Sequence, residues 1–180
     1  MRRGRLQAGS PWWILATALY FLLGCIPPAE SPPSDPALKP ITNRTTDPSQ
    51  TGQQEASLQL TDQGRQLLAS GRWDEAGSVF QKAISLYPNN SYAYYYLGQT
   101  RYLKKDYAQS LAPLRQAELY LSDDPVWKAR VHALRGQVFE ALVRLDEAKG
   151  QYEKALASDS GNPEAREGLK RIESLTAPAE

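Results

Sequence analysis

The hydrophobic positions divide the chain into three parts with different patterns. A largely apolar run of 13 residues, Pro11 to Leu23, follows a short start that holds three arginines and no acidic residue. Residues 26–54 are rich in Pro, Ser and Thr and poor in large apolar side chains. From residue 57 to residue 174, apolar residues recur among polar ones at helical spacing. The pattern therefore predicts a helical domain behind a polar, extended linker.

Positions in the helical part recur at fixed offsets, which indicates an internal repeat. Gly64 is followed by Gly98 after 34 residues and by Gly136 after a further 38. The other repeated positions keep these two offsets, so one four-residue insertion between Ala117 and Gly136 accounts for the difference. The equivalent positions are Trp73, Tyr107 and Leu145; Ala76, Ser110 and Ala148; Phe80, Leu114 and Tyr152; and Ala83, Ala117 and Ala155. Such a period is typical of stacked helical repeats.

The three copies resemble the tetratricopeptide repeat, a unit of two helices. That family places a small residue where the two helices cross, as the three glycines do here, and a bulky residue at the start of the second helix. A small residue one turn later and a large apolar residue after it complete the resemblance. Arg101 departs from the pattern, because the other copies carry Leu67 or Phe139 late in the first helix.

The resemblance covers about residues 57–162 and implies an all-α fold, a tetratricopeptide-type helical solenoid of three helix-turn-helix repeats closed by a capping helix. The expected domain is 55–175, with repeats at about 57–90, 91–124 and 125–162, a capping helix at 163–174 and a disordered tail at 176–180.

Helix-start signals agree with these bounds. Asp124 before Pro125 and Asn162 before Pro163 are each a capping residue followed by a first-turn proline. A start at Pro125 makes the first helix of the third copy one turn longer than its siblings, which explains the inserted residues. Pro113 lies well inside a predicted second helix, and we expect a kink there.

Four tyrosines crowd the first helix of the middle copy, at Tyr92, Tyr94, Tyr95 and Tyr96. Their partial alternation suits a strand, but the repeat overrides that local preference. Helical spacing then separates the rings. Tyr94 is expected to pack against its own second helix, and Tyr96 to face outward or toward a neighbouring repeat.

In the tetratricopeptide family, one stripe of the first helices lines an inner, concave face where ligands lie. The resemblance therefore implies a groove for a protein or peptide partner. Its predicted residues are Arg65, Tyr92, Tyr95, Gln99, Tyr102, Arg130 and Gln137, with Thr61, Leu68, Ala133 and Glu140 on the same stripe. Two alternatives remain open: that some of these rings only fill space between repeats, and that the stripe binds sugar rings in a carbohydrate-binding or accessory subunit of a cell-wall enzyme complex.

The N-terminal 25 residues resemble the signal of a bacterial lipoprotein. The apolar run of 13 residues is shorter than the roughly 17–25 that a membrane-spanning helix needs, and it suits an export signal. It ends in Leu22-Leu23-Gly24-Cys25, which resembles a lipobox. This resemblance implies a signal peptide at 1–24, acylation of Cys25 and a Pro/Ser/Thr-rich disordered linker at 25–54. Ile26, rather than an aspartate, implies the periplasmic face of the outer membrane.

Composition excludes several other functions. The formal net charge is +1, and basic and acidic residues are nearly balanced in the helical part, so no nucleic acid partner is expected. Cys25 and His132 are the single cysteine and histidine, which excludes an intramolecular disulfide, a cysteine zinc cluster and a multi-histidine metal site. We therefore predict a non-enzymatic scaffold or adaptor of the bacterial cell envelope, without a cofactor, in which His132 is structural.

Overall fold

Seven helices and no strand occur among the residues that the computed structural model describes, which are residue 41, residues 52–121 and residues 124–176. They are α1 Gly52–Ala69, α2 Trp73–Leu86, α3 Ser91–Leu103, α4 Tyr107–Tyr120, α5 Pro125–Ala141, α6 Leu145–Ser158 and α7 Pro163–Thr176. All of them belong to one unit, Ala37–Glu180. The predicted solenoid of three helix pairs and a capping helix is confirmed, and α1 begins three residues before the predicted domain start. The predicted signal peptide, Cys25 and the tail after residue 176 lie outside the described residues.

The order of helix contacts gives the domain an inner and an outer wall. Each helix packs against the next one along the chain. The first helices of the pairs also contact one another, α1 with α3, α3 with α5, and α5 with the capping helix α7. Within the described part of the chain, the second helices α2, α4 and α6 make no such contacts with one another. The first helices therefore form the tighter, concave wall, and the second helices form the convex one.

Each repeated glycine lies where its own pair of helices crosses. A Cβ atom at Gly98 would lie 2.6 Å from the Leu114 side chain, and Cβ atoms at Gly64 and Gly136 would clash with the rings of Phe80 and Tyr152. The repeated small and large apolar residues form the packed interior. Fully buried are Ala76, Phe80, Ala83, Leu114, Ala117, Ala148, Tyr152 and Ala155.

The first residues of the second helices are less completely buried than the repeated apolar residues further along these helices. Tyr107 and Leu145 are half-buried, but Trp73 remains 37% exposed. Trp73 is the first residue of α2. Its role as a packing residue stays a prediction.

Glycine-to-alanine substitutions at two helical positions should have opposite effects. At Gly98 the added methyl group overlaps Leu114, and we expect a loss of about 1–3 kcal/mol in the free energy of unfolding. Gly150, inside α6, has no atom within 4 Å of the added Cβ. There the better helix propensity of alanine should stabilise the protein by about 0.5–1 kcal/mol. Urea denaturation measures the free energy of unfolding of both variants. A Gly98→Ala protein as stable as the unchanged chain would contradict the close approach of the two helices at this glycine.

Asn90 joins the first two repeats through buried hydrogen bonds. Its carboxamide oxygen caps α3 by accepting from the Ala93 N–H, and its Nδ2 donates to the hydroxyls of Ser57, at 2.8 Å, and Thr61, at 3.0 Å. Ser57 in turn donates to the Ala83 carbonyl. Thr61 is fully buried. It was expected on the groove stripe, but the capping asparagine of the next repeat covers it.

Two departures from the repeat pattern compensate each other in the middle copy. Pro113 lies buried within α4, which runs uninterrupted from Tyr107 to Tyr120. A proline has no N–H for the carbonyl four residues earlier, here that of Gln109. The Arg101 guanidinium donates to that carbonyl at 2.8 Å. An arginine at this position is thus explained by the proline in the partner helix.

Ile41 is packed, which corrects the prediction of a disordered linker at this residue; residues 25–40 and 42–51 of that linker lie outside the described residues. The Ile41 side chain is 1% exposed, and its backbone N–H donates to the Asp62 carboxylate on α1. A branched apolar side chain among polar neighbours gains from burial wherever an apolar surface is within its reach.

The predicted helix starts at Pro125 and Pro163 are confirmed. The Asp124 side chain accepts hydrogen bonds from the backbone N–H groups of Val126 and Trp127, and the Asn162 side chain accepts one from that of Ala165.

Candidate functional site

The seven predicted groove residues all lie on first helices, but they do not form one open stripe. Arg65 is on α1, Tyr92, Tyr95, Gln99 and Tyr102 are on α3, and Arg130 and Gln137 are on α5. Around Tyr92 and Tyr95 the surface is closed by packing, whereas around Tyr102 and Gln137 it opens into a recess.

Trp127 closes the N-terminal part of the stripe. Its ring lies edge-on to those of Tyr92, Tyr95 and Tyr96, with centroid distances of 4.8, 5.3 and 5.9 Å. Trp127 is 3% exposed, and Tyr96 is 4% exposed and stacks on Phe80 of the preceding repeat. The space-filling alternative therefore describes Tyr92 and Tyr95 in large part. Trp127 was missed in the sequence, although it lies in the inserted first turn of α5.

The remaining tyrosine of the crowded segment behaves as expected. Tyr94 is half-buried, and its ring lies 5.8 Å from that of Tyr120 on α4, the second helix of its own repeat. Burial raises the pKa of the Tyr94 hydroxyl above its ordinary value. Tyr96 faces the neighbouring repeat rather than outward.

Both groove arginines are engaged with neighbouring side chains. Arg65 is 6% exposed, its guanidinium lies 2.7 Å from an Asp62 carboxylate oxygen, and it covers the ring of Tyr96 at 5.2 Å. The guanidinium of Arg130 lies 5.0 Å from the ring centre of Trp127. Arg65 is thus part of the buried structure of the domain, since its charge is balanced by Asp62 and its stem is covered.

Gln99 carries an unused hydrogen-bond acceptor. Its Oε1 atom is buried and has no hydrogen-bond partner among the described residues. Buried polar atoms in proteins are nearly always paired, either directly or through water.

The open part of the concave face is a recess of about 410 Å³ between α3, α5 and α7. It is lined by Tyr102, Gln137, Glu140, Ala141 and Arg171. Its walls offer an aromatic ring, an amide and an ion pair, and they come from the first helices α3 and α5 and from the capping helix α7. Two of the predicted groove residues, Tyr102 and Gln137, therefore meet here. Arg171, on the capping helix, had no equivalent in the repeat pattern and could not be found from it.

One wall of the recess is a fixed ion pair. The Arg171 guanidinium donates through Nε and Nη2 to the two Glu140 oxygens, at 2.9 and 3.0 Å, and the Tyr152 hydroxyl donates to the same carboxylate at 2.7 Å. Hydrogen bonding from Arg171, and then from Tyr152, holds the pKa of Glu140 below its ordinary value of 4.5. Burial raises the pKa of Tyr102 and of Tyr152. Both hydroxyls are neutral donors at physiological pH.

The lowered pKa of Glu140 determines how its contribution to the stability of the domain changes with pH. Glu140 binds its proton less readily in the folded state than in the unfolded chain, so its contribution to stability is complete above the ordinary pKa of 4.5. The contribution is lost as the pH falls through the lower folded-state pKa. The ion pair is therefore intact throughout the neutral range.

His132 is packed and hydrogen-bonded on the other side of α5. It is 8% exposed, its Nδ1 lies 3.1 Å from the Gln151 side-chain oxygen, and its Nε2 lies 3.6 Å from a Glu118 oxygen. The same glutamate forms an ion pair with Arg135.

Residues 52–121 and 124–176 hold no group of three metal-ligating side chains. Over the same residues, no helix has the length and apolar character of a membrane span.

The sequence model of the tetratricopeptide repeat family matches residues 61–124. Among solved structures, the tetratricopeptide domain of Arabidopsis OM64 is similar with a TM-score of 0.64 and 23% identity, over 69% of this chain and 99% of that chain. The second such domain of human RPAP3, in complex with an HSP70 peptide, has a TM-score of 0.62 and 21% identity, over 68% and 98%. The Yersinia enterocolitica type III secretion chaperone SycD, in complex with a peptide of the translocator YopD, has a TM-score of 0.54 and 21% identity, over 65% and 86%.

These similarities and the helix contacts define the class of fold. The described domain is a tetratricopeptide-type helical solenoid of three repeats and a capping helix.

Proposed function

We propose that this protein is a non-enzymatic adaptor that binds an extended segment of a partner protein on the concave face. The observation that carries the proposal is the recess of about 410 Å³ at the C-terminal end of that face. There, side chains of the first helices α3 and α5 and of the capping helix α7 line open space. The proposed site comprises Tyr102, Gln137, Glu140 and Arg171.

The chemistry of the recess favours a peptide. Glu140 and Arg171 neutralise each other, so the wall offers polar groups without a strong net field. The Gln137 amide donates and accepts, as a peptide backbone requires. The Tyr102 ring supplies contact area, and its hydroxyl is a donor.

A peptide also fits better than the sugar alternative. Sugar recognition by a tyrosine stripe needs open aromatic faces, but Tyr92 and Tyr95 are packed against Trp127. Two of the similar structures were solved with peptides, one of HSP70 and one of YopD. They support peptide binding as a capacity of this fold. The carbohydrate-binding or accessory subunit of a cell-wall enzyme complex remains the second candidate.

The proposal places the adaptor in the bacterial cell envelope, attached by lipid on Cys25 to the periplasmic face of the outer membrane. The support is the N-terminal resemblance to a lipoprotein signal. Two or more acyl chains anchor a protein firmly, whereas one chain holds it only weakly. An anchored adaptor of this kind suits the assembly of an envelope, pilus or secretion complex.

Replacing Cys25 by serine tests the anchor. The variant should no longer incorporate labelled palmitate, and it should leave the membrane fraction or retain its signal peptide. The unchanged chain, expressed in the same bacterium, is the control. Labelling that persists in Cys25→Ser would overturn the lipid anchor.

Alanine substitution of Tyr102 tests the groove. Loss of an aromatic contact at the centre of an interface should weaken partner binding by about 2 kcal/mol or more. The measurement is recovery of the partner in pull-downs from solubilised membranes, with helical circular dichroism to check the fold. Leu119→Ala is the matched control, because Leu119 is 70% exposed on the convex helix α4. Binding that survives Tyr102→Ala but fails in Leu119→Ala would place the partner on the convex wall.

A further inference from the structure

Ile41 occupies a position on the domain that the repeats do not require. It precedes α1 by more than ten residues and belongs to none of the helix pairs. Nevertheless its side chain is 1% exposed, and its backbone N–H donates to both Asp62 oxygens, at 3.1 and 3.0 Å. A buried side chain next to a backbone N–H held by a domain side chain is also how an extended peptide ligand is bound.

The surroundings of Ile41 form a defined site at the first-repeat end of the concave wall. Asp62 lies on α1, and its charge is balanced by Arg65, which covers the ring of Tyr96 on α3. Ile41 belongs to the hydrophobic cluster that also holds Leu58 of α1, Phe80 of α2, Tyr96 of α3 and Trp127 of α5. The site therefore combines an apolar cluster with a carboxylate that accepts from a backbone N–H.

We propose that Ile41 is an internal ligand, and that its site also takes a partner peptide with a branched aliphatic side chain whose own backbone N–H binds Asp62. The partner must displace Ile41 to bind there. This inference rests on the proposed function, because it assigns one residue of the peptide that the concave face binds. The recess at Tyr102 then takes a second part of the same peptide.

Tethering makes the internal ligand an effective competitor. Because Ile41 is part of the same chain as its site, its binding is intramolecular and acts at an effective local concentration rather than at the concentration of a free peptide. A weak intrinsic affinity is therefore enough to keep the site filled in the absence of a partner. An external peptide must bind more tightly than Ile41 in order to displace it. A partner gains the additional affinity by binding the recess at the same time.

The probe for a test is a synthetic, fluorescently labelled peptide with the sequence of residues 36–46 of this chain, PALKPITNRTT. Fluorescence polarisation measures its binding to the full chain in detergent. The Ile41→Ser chain, whose site is vacated, should bind the peptide at least tenfold more tightly than the unchanged chain. Asp62→Asn added to Ile41→Ser should reduce that binding, and a control peptide with serine in place of isoleucine should not bind.

A second measurement covers the case in which Ile41→Ser fails to fold. Hydrogen exchange on the unchanged chain should show a protected Ile41 amide that becomes exposed as unlabelled peptide is added, while amides inside α2 stay protected. Equal binding of the peptide to both chains, or an Ile41 amide whose protection does not respond to the peptide, would overturn the inference. These results are independent of the Tyr102→Ala pull-down, so either proposal can fail alone.

Discussion

Tyr152→Ala is expected to lower the free energy of unfolding by about 3–5 kcal/mol, the range for deleting a buried aromatic ring. The ring of Tyr152 is fully buried between α5 and α7, and a Cβ atom at either Gly136 or Gly168 would clash with it. Two glycines thus form part of its walls. The capping helix should lose its main contact with the last repeat.

Tyr152→Phe is the matched control for this prediction. It keeps the ring and removes only the hydroxyl that donates to Glu140, which retains both hydrogen bonds from Arg171. The expected loss is about 1 kcal/mol, the usual net value of one hydrogen bond. Urea denaturation followed by circular dichroism gives both values. If the two variants lost the same amount of stability, the ring would not be the element that holds the capping helix.

Trp127→Ala should have an effect of similar size, about 3–5 kcal/mol. The Trp127 ring is 3% exposed and touches the edges of three tyrosine rings on α3, so its removal opens a cavity between the second and third repeats. Its neighbour Val126 is 45% exposed, and Val126→Ala should change stability by less than about 0.5 kcal/mol. Thermal and urea unfolding of the two variants would show the difference. A Trp127→Ala protein as stable as Val126→Ala would mean that the tyrosines do not depend on this contact.

The Trp127 contact also determines which tyrosine is useful in binding experiments. Tyr95→Ala removes a ring that packs against Trp127, so it changes stability and binding together. Tyr102 lines the recess, and its ring neighbour is Tyr107 at 5.6 Å. A loss of binding in Tyr102→Ala with unchanged helicity therefore reports on the groove.

Much of the fold could be predicted because the repeat itself encodes the helix crossings. Gly98 and Leu114 stand at the offsets of Gly64 and Phe80, and the structure brings each glycine against its large partner. Periodicity fixes which faces of the helices meet, since residues at equivalent positions have equivalent neighbours. The caps at Asp124 and Asn162 were predictable because they act on residues three positions away or less.

The features that could not be predicted depend on contacts between residues that do not occupy equivalent positions in the three repeats. The inserted turn of α5 was visible, but that Trp127 would cover Tyr92 and Tyr95 follows only from the distance between α3 and α5. Arg171 reaches Glu140 from the capping helix, which has no equivalent position in the three copies. Ile41 lies in a segment whose composition predicts no packing, and one apolar residue carries no periodic signal.

The central claim is that a partner protein lies on the concave wall, and photo-crosslinking tests it most directly. A benzoylphenylalanine side chain is placed in intact cells at Gln137, which lines the recess, or at Leu119, which is exposed on the convex helix α4. We expect irradiation to link a specific partner to position 137 and to leave position 119 without it. A partner captured at position 119 but absent at position 137 would contradict binding on the concave wall.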